Sequence, residues 1–453
     1  MENYNIYNKN ILIVGLGKSG VACARLCVSQ SANVFVFDKD KAKYDLVRSH
    51  KLFEGKNIVA MTKIAPKYLK DMDIVVLSPS IQLSARIEKY LKEQHIALVG
   101  EIEFSSRFCR SEILAITGTN GKTTTTTLLG EIVQAFNPNT YVLGNIGKAF
   151  ATKALSTKRD GYVVLEVSSF QLKTIATFTP KIAALLNLKE DHMDYHKTFE
   201  DYASSKLRIF ENMKASDFAV VNYNDAMCVE RTKNIVPEIY YFSTTCEVKG
   251  AYLKDGAIYF CDGTSTFSIC EQNDIRLVGM HNIANVLCAV CMAFLIGISK
   301  ELIKDTIINF KGLTHRIEFV KTKNSVSYYN DSKATNVDST LVATRSFSQN
   351  IVLLLGGSYK GENFKALFRE LPQNVRYVVA YGKTANKIMR AARALGYTNI
   401  SKCDGLLNAV LSARIVANEG DVVLLSPACA SFDQFRNYEE RGDSFKEIVR
   451  NLE

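Results

Sequence analysis

The sequence predicts an α/β protein of three domains. Short apolar runs alternate with helix-periodic segments almost from end to end, two of those runs lead directly into glycine-rich loops, and 453 residues suit roughly three compact domains. The predicted parts are a Rossmann-like N-terminal domain over 1–109, a central phosphate-loop domain with a small antiparallel element over 110–311, and a Rossmann-like C-terminal domain over 312–453.

The first part opens with the apolar strand Ile11–Val14, then Gly15–Leu16–Gly17–Lys18–Ser19–Gly20, then a helix from about Val21 to Ser29. Glycines between a strand and a helix let the backbone approach an anion, and the helix N-terminus favours negative charge. A second strand, Val34–Phe37, ends at Asp38, where a carboxylate can read a ribose. This pattern reports a diphosphate-bearing nucleotide, and a UDP group satisfies it as well as NAD does. Ile74–Leu77 and Ala97–Val99 continue the series, which ends near Cys109.

The second part begins at Ile113–Ile116 and runs into Thr117–Gly118–Thr119–Asn120–Gly121–Lys122–Thr123–Thr124. Backbone N–H groups in such a loop wrap phosphate oxygens, Lys122 brings a point charge to the β/γ-phosphates, and the Thr123 hydroxyl suits Mg²⁺. Only the second half of GxxxxGK[ST] matches, because Ile116 stands where the first glycine would be. The strand Tyr162–Leu165 delivers Glu166, a good oxygen ligand for Mg²⁺. The strand Ile182–Leu186 leads to Asn187–Leu188–Lys189–Glu190–Asp191–His192–Met193–Asp194–Tyr195–His196. No HExxH is present, so zinc is disfavoured, and His196 reads as a surface residue. Lys206, taken alone, also reads as a surface lysine. Residues 248–270 alternate around Asp255–Gly256 and Asp262–Gly263, which predicts hairpins. Helices follow at about Asn282–Leu295 and Lys300–Asn309, then Lys311–Gly312–Leu313 as a hinge.

The third part has strands at Ile351–Leu355, Tyr377–Ala380 and Val422–Leu425. Polar strings follow its strands: Tyr329–Asn336, Gly356–Gly361 and Ser426–Phe435. Cys429 has no adjacent base and reads as packing.

Composition excludes several classes. With 47% hydrophobic and 23% charged residues the chain can fill several cores, so long disorder is not expected. The net charge is +10, but Lys and Arg are spread along the chain without long runs, which fits clefts for anionic substrates and not a nucleic-acid groove. The 11 cysteines sit in apolar patterns and are expected to be buried and unpaired, as in a reducing compartment. Cys288 and Cys291 form a CxxC without a second ligand pair. A polar start, without an apolar leader or membrane-length run, predicts a cytoplasmic chain with no membrane partner.

Gly118–Thr123 resembles the short phosphate loop of the Mur ligase superfamily, which includes the cell-wall amino-acid ligases and folylpolyglutamate synthetase. Glu166–Val167–Ser168–Ser169–Phe170–Gln171, the Asp191–Asp194 string and the Ser426–Phe435 string are similar to its glutamate-adding members. The resemblance covers nearly the whole chain. It implies an ADP-forming acid–amino-acid ligase of peptidoglycan precursor synthesis, expected to be monomeric. Its substrates would be ATP, UDP-N-acetylmuramoyl-L-alanine and D-glutamate, with Mg²⁺ as cofactor and Mn²⁺ as a substitute.

The resemblance also implies roles. Gly118, Thr119, Asn120, Gly121, Lys122, Thr123 and Thr124 would cradle ATP, with Asn285 at the base, Asp331 at the ribose and Arg316 reaching a phosphate from the third domain. Gly15, Leu16, Gly17, Lys18, Ser19, Asp38, Ser78, Asn145 and His192 would hold the UDP substrate. Thr335, Lys360, Ser431, Phe432 and Tyr438 would bound the D-glutamate pocket, with Lys333 beside the acyl-phosphate. Thr123, Glu166, His192 and Lys206 would serve magnesium, Lys206 as a carbamate formed with CO₂. That reaction needs a neutral amine, hence a desolvated lysine. Lys122, Lys206, His192, Arg316 and Lys333 make up the implied catalytic set. Because Arg316 and Lys333 start in a different domain from the phosphate loop, closure is expected. Departures from the pattern fall at Ser78–Pro79–Ser80–Ile81, which replaces Ser-Pro-Gly-Ile, at Asp38–Lys39–Asp40, which lacks an arginine, and at Phe432 and Tyr438. Rival readings are a sister ligase for L-alanine or a diamino acid, a dehydrogenase using the first glycine loop, and a nucleotide-sensing module without catalysis.

Overall fold

Runs of Val, Ile and Leu without polar alternation become parallel strands covered on both faces, and they form the centres of all three sheets. The computed structural model describes residues 4–44, 58–79 and 81–452; Ser80, one of the departures noted above, lies outside the described residues. The chain separates into two compact units, Met1–Asp274 with Ala284–Ile308, and Ile275–Ile283 with Asn309–Glu453.

The first unit holds two sheets. The N-terminal sheet is all parallel, in the order Ile58–Ala60, Asn33–Phe37, Asn10–Val14, Ile74–Leu77, Ala97–Gly100. Strand order reverses at Asn10–Val14, which is where a doubly wound sheet opens a crevice for ligands. The helix after it starts at Lys18, three residues earlier than the pattern suggests. The second sheet has nine strands. The strand Glu112–Thr117 lies between Ile182–Leu185 and Tyr162–Glu166, so three strand ends converge on one loop. The predicted hairpins are present: Gly250–Lys254, Ala257–Cys261 and Thr266–Glu271 pair antiparallel, and Asp255 and Gly256 both take positive φ, as a two-residue hairpin turn demands. They extend the large sheet, because Gly250–Lys254 also pairs parallel with Glu238–Ser243.

The second unit is a six-stranded sheet, in the order Glu318–Lys323, Val326–Asn330, Val422–Leu425, Ile351–Gly356, Val375–Tyr381, Ile400–Cys403. All its pairings are parallel except that of the edge strand Glu318–Lys323.

All eleven cysteines are free, but Cys246, Cys261 and Cys403 are only half-buried, which corrects the expectation of uniform burial. Cys246 lies in the loop after the strand Glu238–Ser243, and Cys261 and Cys403 are the last residues of their strands, so each sits where regular packing gives out. Among the described residues no helix is long and apolar enough to cross a membrane.

Within the first unit one apolar core runs from Ile11 and Cys23 through Ile102 and Phe104 to Phe150 and Phe178. The helix Glu101–Ser106 sits in it with two buried carboxylates. Burial alone would raise the Glu103 pKa, but the N–H groups of Ala176 and Thr177, the Thr177 hydroxyl and Arg107 outweigh it and hold it below the usual range. Glu101 accepts from the Ala151 N–H at 2.8 Å and the Ser105 hydroxyl at 3.4 Å, its Oε2 has no hydrogen-bond partner, and burial pushes its pKa up to about 7.

A carboxyl whose folded pKa is raised contributes stability that is complete below its unfolded value of 4.5 and lost as pH rises through about 7. Glu101→Gln keeps a carbonyl acceptor for Ala151 and removes the titration. Thermal melts from pH 5 to 8 should show the variant gaining on the parent chain as pH rises, by up to about 3 kcal/mol. A parallel pH dependence for the two chains would refute the assignment.

Candidate active site

Gly118 and Gly121 carry φ of +152° and +86°, so only glycine relaxes there, and a Cβ on Gly121 would stand 2.2 Å from Asn285 Oδ1. The loop they shape leads into the helix Lys122–Phe136. It is pinned from outside: Thr119 N–H donates to Asn187 O at 3.0 Å, Asn120 N–H to Asn187 Oδ1 at 2.8 Å, and Asn187 Nδ2 back to Asn120 O at 3.0 Å. Sequence reasoning overlooked Asn187, although an asparagine just after a fully apolar strand is a usable signal. Asn285, assigned to the ATP base, lies against the loop itself and accepts from Thr125 Oγ1 at 3.3 Å. Lys122 Nζ donates to Gly118 O at 2.8 Å and Thr119 O at 2.7 Å, which holds its charge over the loop. Thr123 is half-buried and Thr124 is buried in the first helical turn.

Lys206 is 2% exposed and donates to the same Gly118 carbonyl at 2.8 Å. Its Nζ stands 4.7 Å from the Tyr202 ring centroid, and the Tyr202 hydroxyl is 2.9 Å from Thr119 Oγ1. Burial first, and then the Lys122 charge, push the Lys206 pKa well below the ordinary lysine value, against the pull of Asp191 and Glu166. The surface reading of the bare sequence is therefore wrong, and the desolvation that carbamate chemistry needs is present.

Glu166 ends its strand buried. Its Oε1 accepts from Asn145 Nδ2 at 2.9 Å, whereas Oε2 is buried with no partner. A buried carboxylate oxygen facing nothing is costly unless a cation meets it, so this position fits a divalent metal. Among the described residues no three His, Cys, Asp or Glu side chains form a ready-made cage. Mg²⁺ suits such a site, since it binds through one or two protein oxygens plus phosphates and water. Glu166→Gln should raise the Mg²⁺ concentration for half-maximal activity at least about tenfold. A Mg²⁺ titration of the variant checks this, and an unchanged midpoint would remove Glu166 from the metal set.

The segment after Glu166 closes in a capping box between Ser168 and Gln171. The predicted magnesium histidine, His192, takes a left-handed conformation, is about half exposed, and lies 4.9 Å from the Phe170 ring. His196 corrects the surface reading: it is 1% exposed, stacks on Phe170, and contacts Ser169 Oγ at 2.9 Å and Asp201 Oδ2 at 3.3 Å. It joins the segment carrying Glu166 to the helix carrying Lys206, and burial keeps its pKa below the usual value despite Asp201.

At the first glycine loop, Ser78 Oγ donates to Gly15 O at 2.8 Å across the reversal point of the sheet. Gly17 and Lys18 are exposed, Ser19 is half-buried, and nothing lies within 4 Å of a Cβ added to Gly17, which leaves room for a ligand. The Asp38 carboxylate turns back on its own loops, accepting from Leu16 N at 2.7 Å and Asp40 N at 2.9 Å, with Lys43 at 3.3 Å. Burial opposes these bonds, but together they hold its pKa below the usual range.

In the second unit the predicted residues gather at the C-terminal strand ends. Asp331 Oδ2 accepts from Ser426 Oγ at 2.7 Å and Oδ1 from Ile317 N at 3.3 Å, and burial pushes its pKa up to about 7 against Ser426 and the Arg316 charge. Arg316 keeps a buried Nε without a hydrogen-bond partner. Lys333 Nζ stands 5.7 Å from the Tyr438 ring and Lys360 Nζ 5.1 Å from the Phe432 ring. Phe432 is 64% exposed and Ser431 and Cys429 are buried, while Thr335 is half-buried. Missed here are Asn330, His315 and Arg441, all buried, with Asn330 Nδ2 3.0 Å from His315 Nδ1.

Three family models match the chain: a Mur ligase MurD-like N-terminal domain over 9–100, a Mur ligase middle domain over 116–293, and a Mur ligase glutamate ligase domain over 315–429. The chain is 42% identical over 450 residues to UDP-N-acetylmuramoylalanine–D-glutamate ligase of Koribacter versatilis, covering 99% of this chain and 98% of that protein. It is 41% identical to the protein of the same name in Thermoanaerobacter sp. (strain X514), covering 98% of each. Among solved structures, UDP-N-acetylmuramate-alanine ligase MurC of Thermotoga maritima matches at TM-score 0.58 and 16% identity, covering 98% of this chain and 99% of that one. MurF of Acinetobacter baumannii matches at TM-score 0.60 and 16% identity, covering 96% and 93%.

Proposed function

The chain belongs to the Mur ligase family, and from that premise we propose that it joins D-glutamate to UDP-N-acetylmuramoyl-L-alanine at the expense of ATP, in peptidoglycan precursor synthesis. A free carboxylate is inert toward an amine, so it must first be activated. The γ-phosphoryl group of ATP passes to a carboxylate oxygen of the UDP substrate: a P–O bond forms, the β–γ bridge breaks, and ADP leaves. The D-glutamate amine then attacks the acyl carbon, a C–N bond forms, and phosphate departs with the oxygen it gained.

The observation that carries this reading is the meeting of Lys122 and Lys206 on the Gly118 carbonyl. Two amines on one loop oxygen mark a site built to receive negative charge. Lys122 would leave that carbonyl for a phosphate oxygen and offset charge accumulating in transfer. Lys206, whose burial favours the neutral amine, would take up CO₂, and the resulting carbamate would add an oxygen ligand beside Glu166. Bound Mg²⁺ would supply Lewis-acid neutralisation of the phosphates, held by Glu166, Thr123, His192 and the Lys206 carbamate. Gly118, Thr119, Asn120, Gly121 and Thr124 would wrap the phosphates, with Asn285, Asp331 and Arg316 completing the ATP contacts. Gly15, Leu16, Gly17, Lys18, Ser19, Asp38, Ser78, Asn145 and His192 would bind the UDP substrate. Lys333, Thr335, Lys360, Ser431, Phe432 and Tyr438 would receive D-glutamate.

On this reading domains 1–109, 110–311 and 312–453 serve the nucleotide sugar, ATP and the amino acid in turn, in a cytoplasmic monomer. An amino-acid panel with a phosphate-release assay tests it. D-Glutamate should stimulate release with UDP-N-acetylmuramoyl-L-alanine as acceptor, while L-glutamate, L-alanine and diamino acids should not. Stimulation by one of those in place of D-glutamate would overturn the substrate assignment.

A further inference from the structure

Among the described residues Arg441 is the largest fully buried side chain, and the hydrogen-bond partners it has are not carboxylates. Its Nε donates to Ser332 Oγ at 2.9 Å, Nη2 to Ser332 O at 2.8 Å, and Nη1 to Cys429 O at 3.0 Å and Gly356 O at 3.4 Å. Removing a guanidinium from water is expensive unless its planar fork of donors is met, and here backbone and hydroxyl oxygens meet it.

The acceptors are not scattered. Ser332, Cys429 and Gly356 follow or end three adjacent parallel strands, Val326–Asn330, Val422–Leu425 and Ile351–Gly356. Arg441 thus spans the C-terminal edge of the sheet, with Nε and Nη2 on the Ser332 loop and Nη1 shared between the other two. The backbone has adapted to it: Gly357 has φ +144°, and a Cβ there would lie 2.1 Å from Ala430 O and 3.1 Å from Arg441 Nη1. Ser332 Oγ in turn donates to Tyr438 O at 2.8 Å, which locks the first turn of the arginine's own helix, Tyr438–Arg450, to the same loop.

Every loop so held carries a residue assigned above to the amino-acid pocket: Lys333 and Thr335 beyond Ser332, Lys360 beyond Gly356, and Ser431 and Phe432 beyond Cys429. Resting on that assignment, we propose that Arg441 is a positioning residue that fixes the spacing of these loops and thereby sets the affinity for the incoming amino acid. A lysine in its place is a point charge on a flexible stem. It cannot reproduce a three-way planar contact.

The test compares steady-state constants of the parent chain with those of Arg441→Lys, Arg441→Met and Ser332→Ala, each varied against D-glutamate and against ATP. KM for D-glutamate should rise at least about tenfold in both arginine variants, and by more than KM for ATP, whose assigned ribose contact Asp331 adjoins Ser332. Ser332→Ala removes one acceptor and leaves the guanidinium, so it should show a smaller rise in the same constant and covers the case in which the arginine variants do not fold. General destabilisation would instead lower the active fraction, hence kcat, and leave KM alone. Unchanged KM for D-glutamate in the folded variants overturns the proposal. If the parent joins a different amino acid, the substrate assignment fails, and the same KM comparison on that amino acid decides the role of Arg441.

Discussion

Lys122→Ala should lower ligation at saturating substrates by about a thousandfold or more, with melting temperature nearly unchanged. The amine lies on the Gly118 and Thr119 carbonyls, and the Gly118 carbonyl keeps the Lys206 amine when it is gone. The loss therefore falls on chemistry and not on folding. A phosphoryl group in transfer spreads negative charge over its oxygens, and a cation placed beforehand needs no reorganisation at that moment. Single-turnover measurement of ADP formation with both co-substrates present checks this. Retention of a tenth or more of the parent rate would exclude Lys122 from the phosphoryl-transfer step.

The second large effect is expected at Lys206. Lys206→Ala should cut turnover by roughly a hundredfold or more, and Lys206→Arg should do no better, because arginine stays charged and cannot form a carbamate. The geometry sets this apart from an ordinary loss of packing. The amine is buried between Gly118 O and the Tyr202 ring, and its lowered pKa leaves more of the neutral form at pH 7 than a surface lysine has. Incubation with ¹³C-bicarbonate should yield a carbamate signal in the parent chain that is absent from Lys206→Arg. A parent chain without that signal that still turns over normally without added CO₂ would overturn the modification.

The central strands are legible in the sequence because they are buried on both faces. Ile11–Val14, Ile74–Leu77, Ile351–Leu355 and Val422–Leu425 carry no polar residue to confuse their reading. Three of the edge strands are not legible in the same way. Ile58–Ala60, Glu318–Lys323 and Ile400–Cys403 are short or polar and half-exposed, so neither apolar density nor alternation marks them. The phosphate loop and Glu166 are readable from local spacing alone. Lys206, His196 and Arg441 are not, since nothing in their neighbouring residues tells a buried cation or imidazole from a surface one. Their burial is made by distant partners: Gly118 for Lys206, Ser169 for His196, and Ser332, Gly356 and Cys429 for Arg441. For Lys206 only the family resemblance supplies the signal.

The acyl-phosphate itself can be tested by following one oxygen atom. UDP-N-acetylmuramoyl-L-alanine labelled with ¹⁸O in its free carboxylate is turned over with ATP and D-glutamate, and the released phosphate is weighed by mass spectrometry. One labelled oxygen in each phosphate, matched one-to-one by amide product, is the expected result. Phosphate released without label, at a rate indifferent to acceptor and donor, would show that ATP cleavage here is not used to activate an acid.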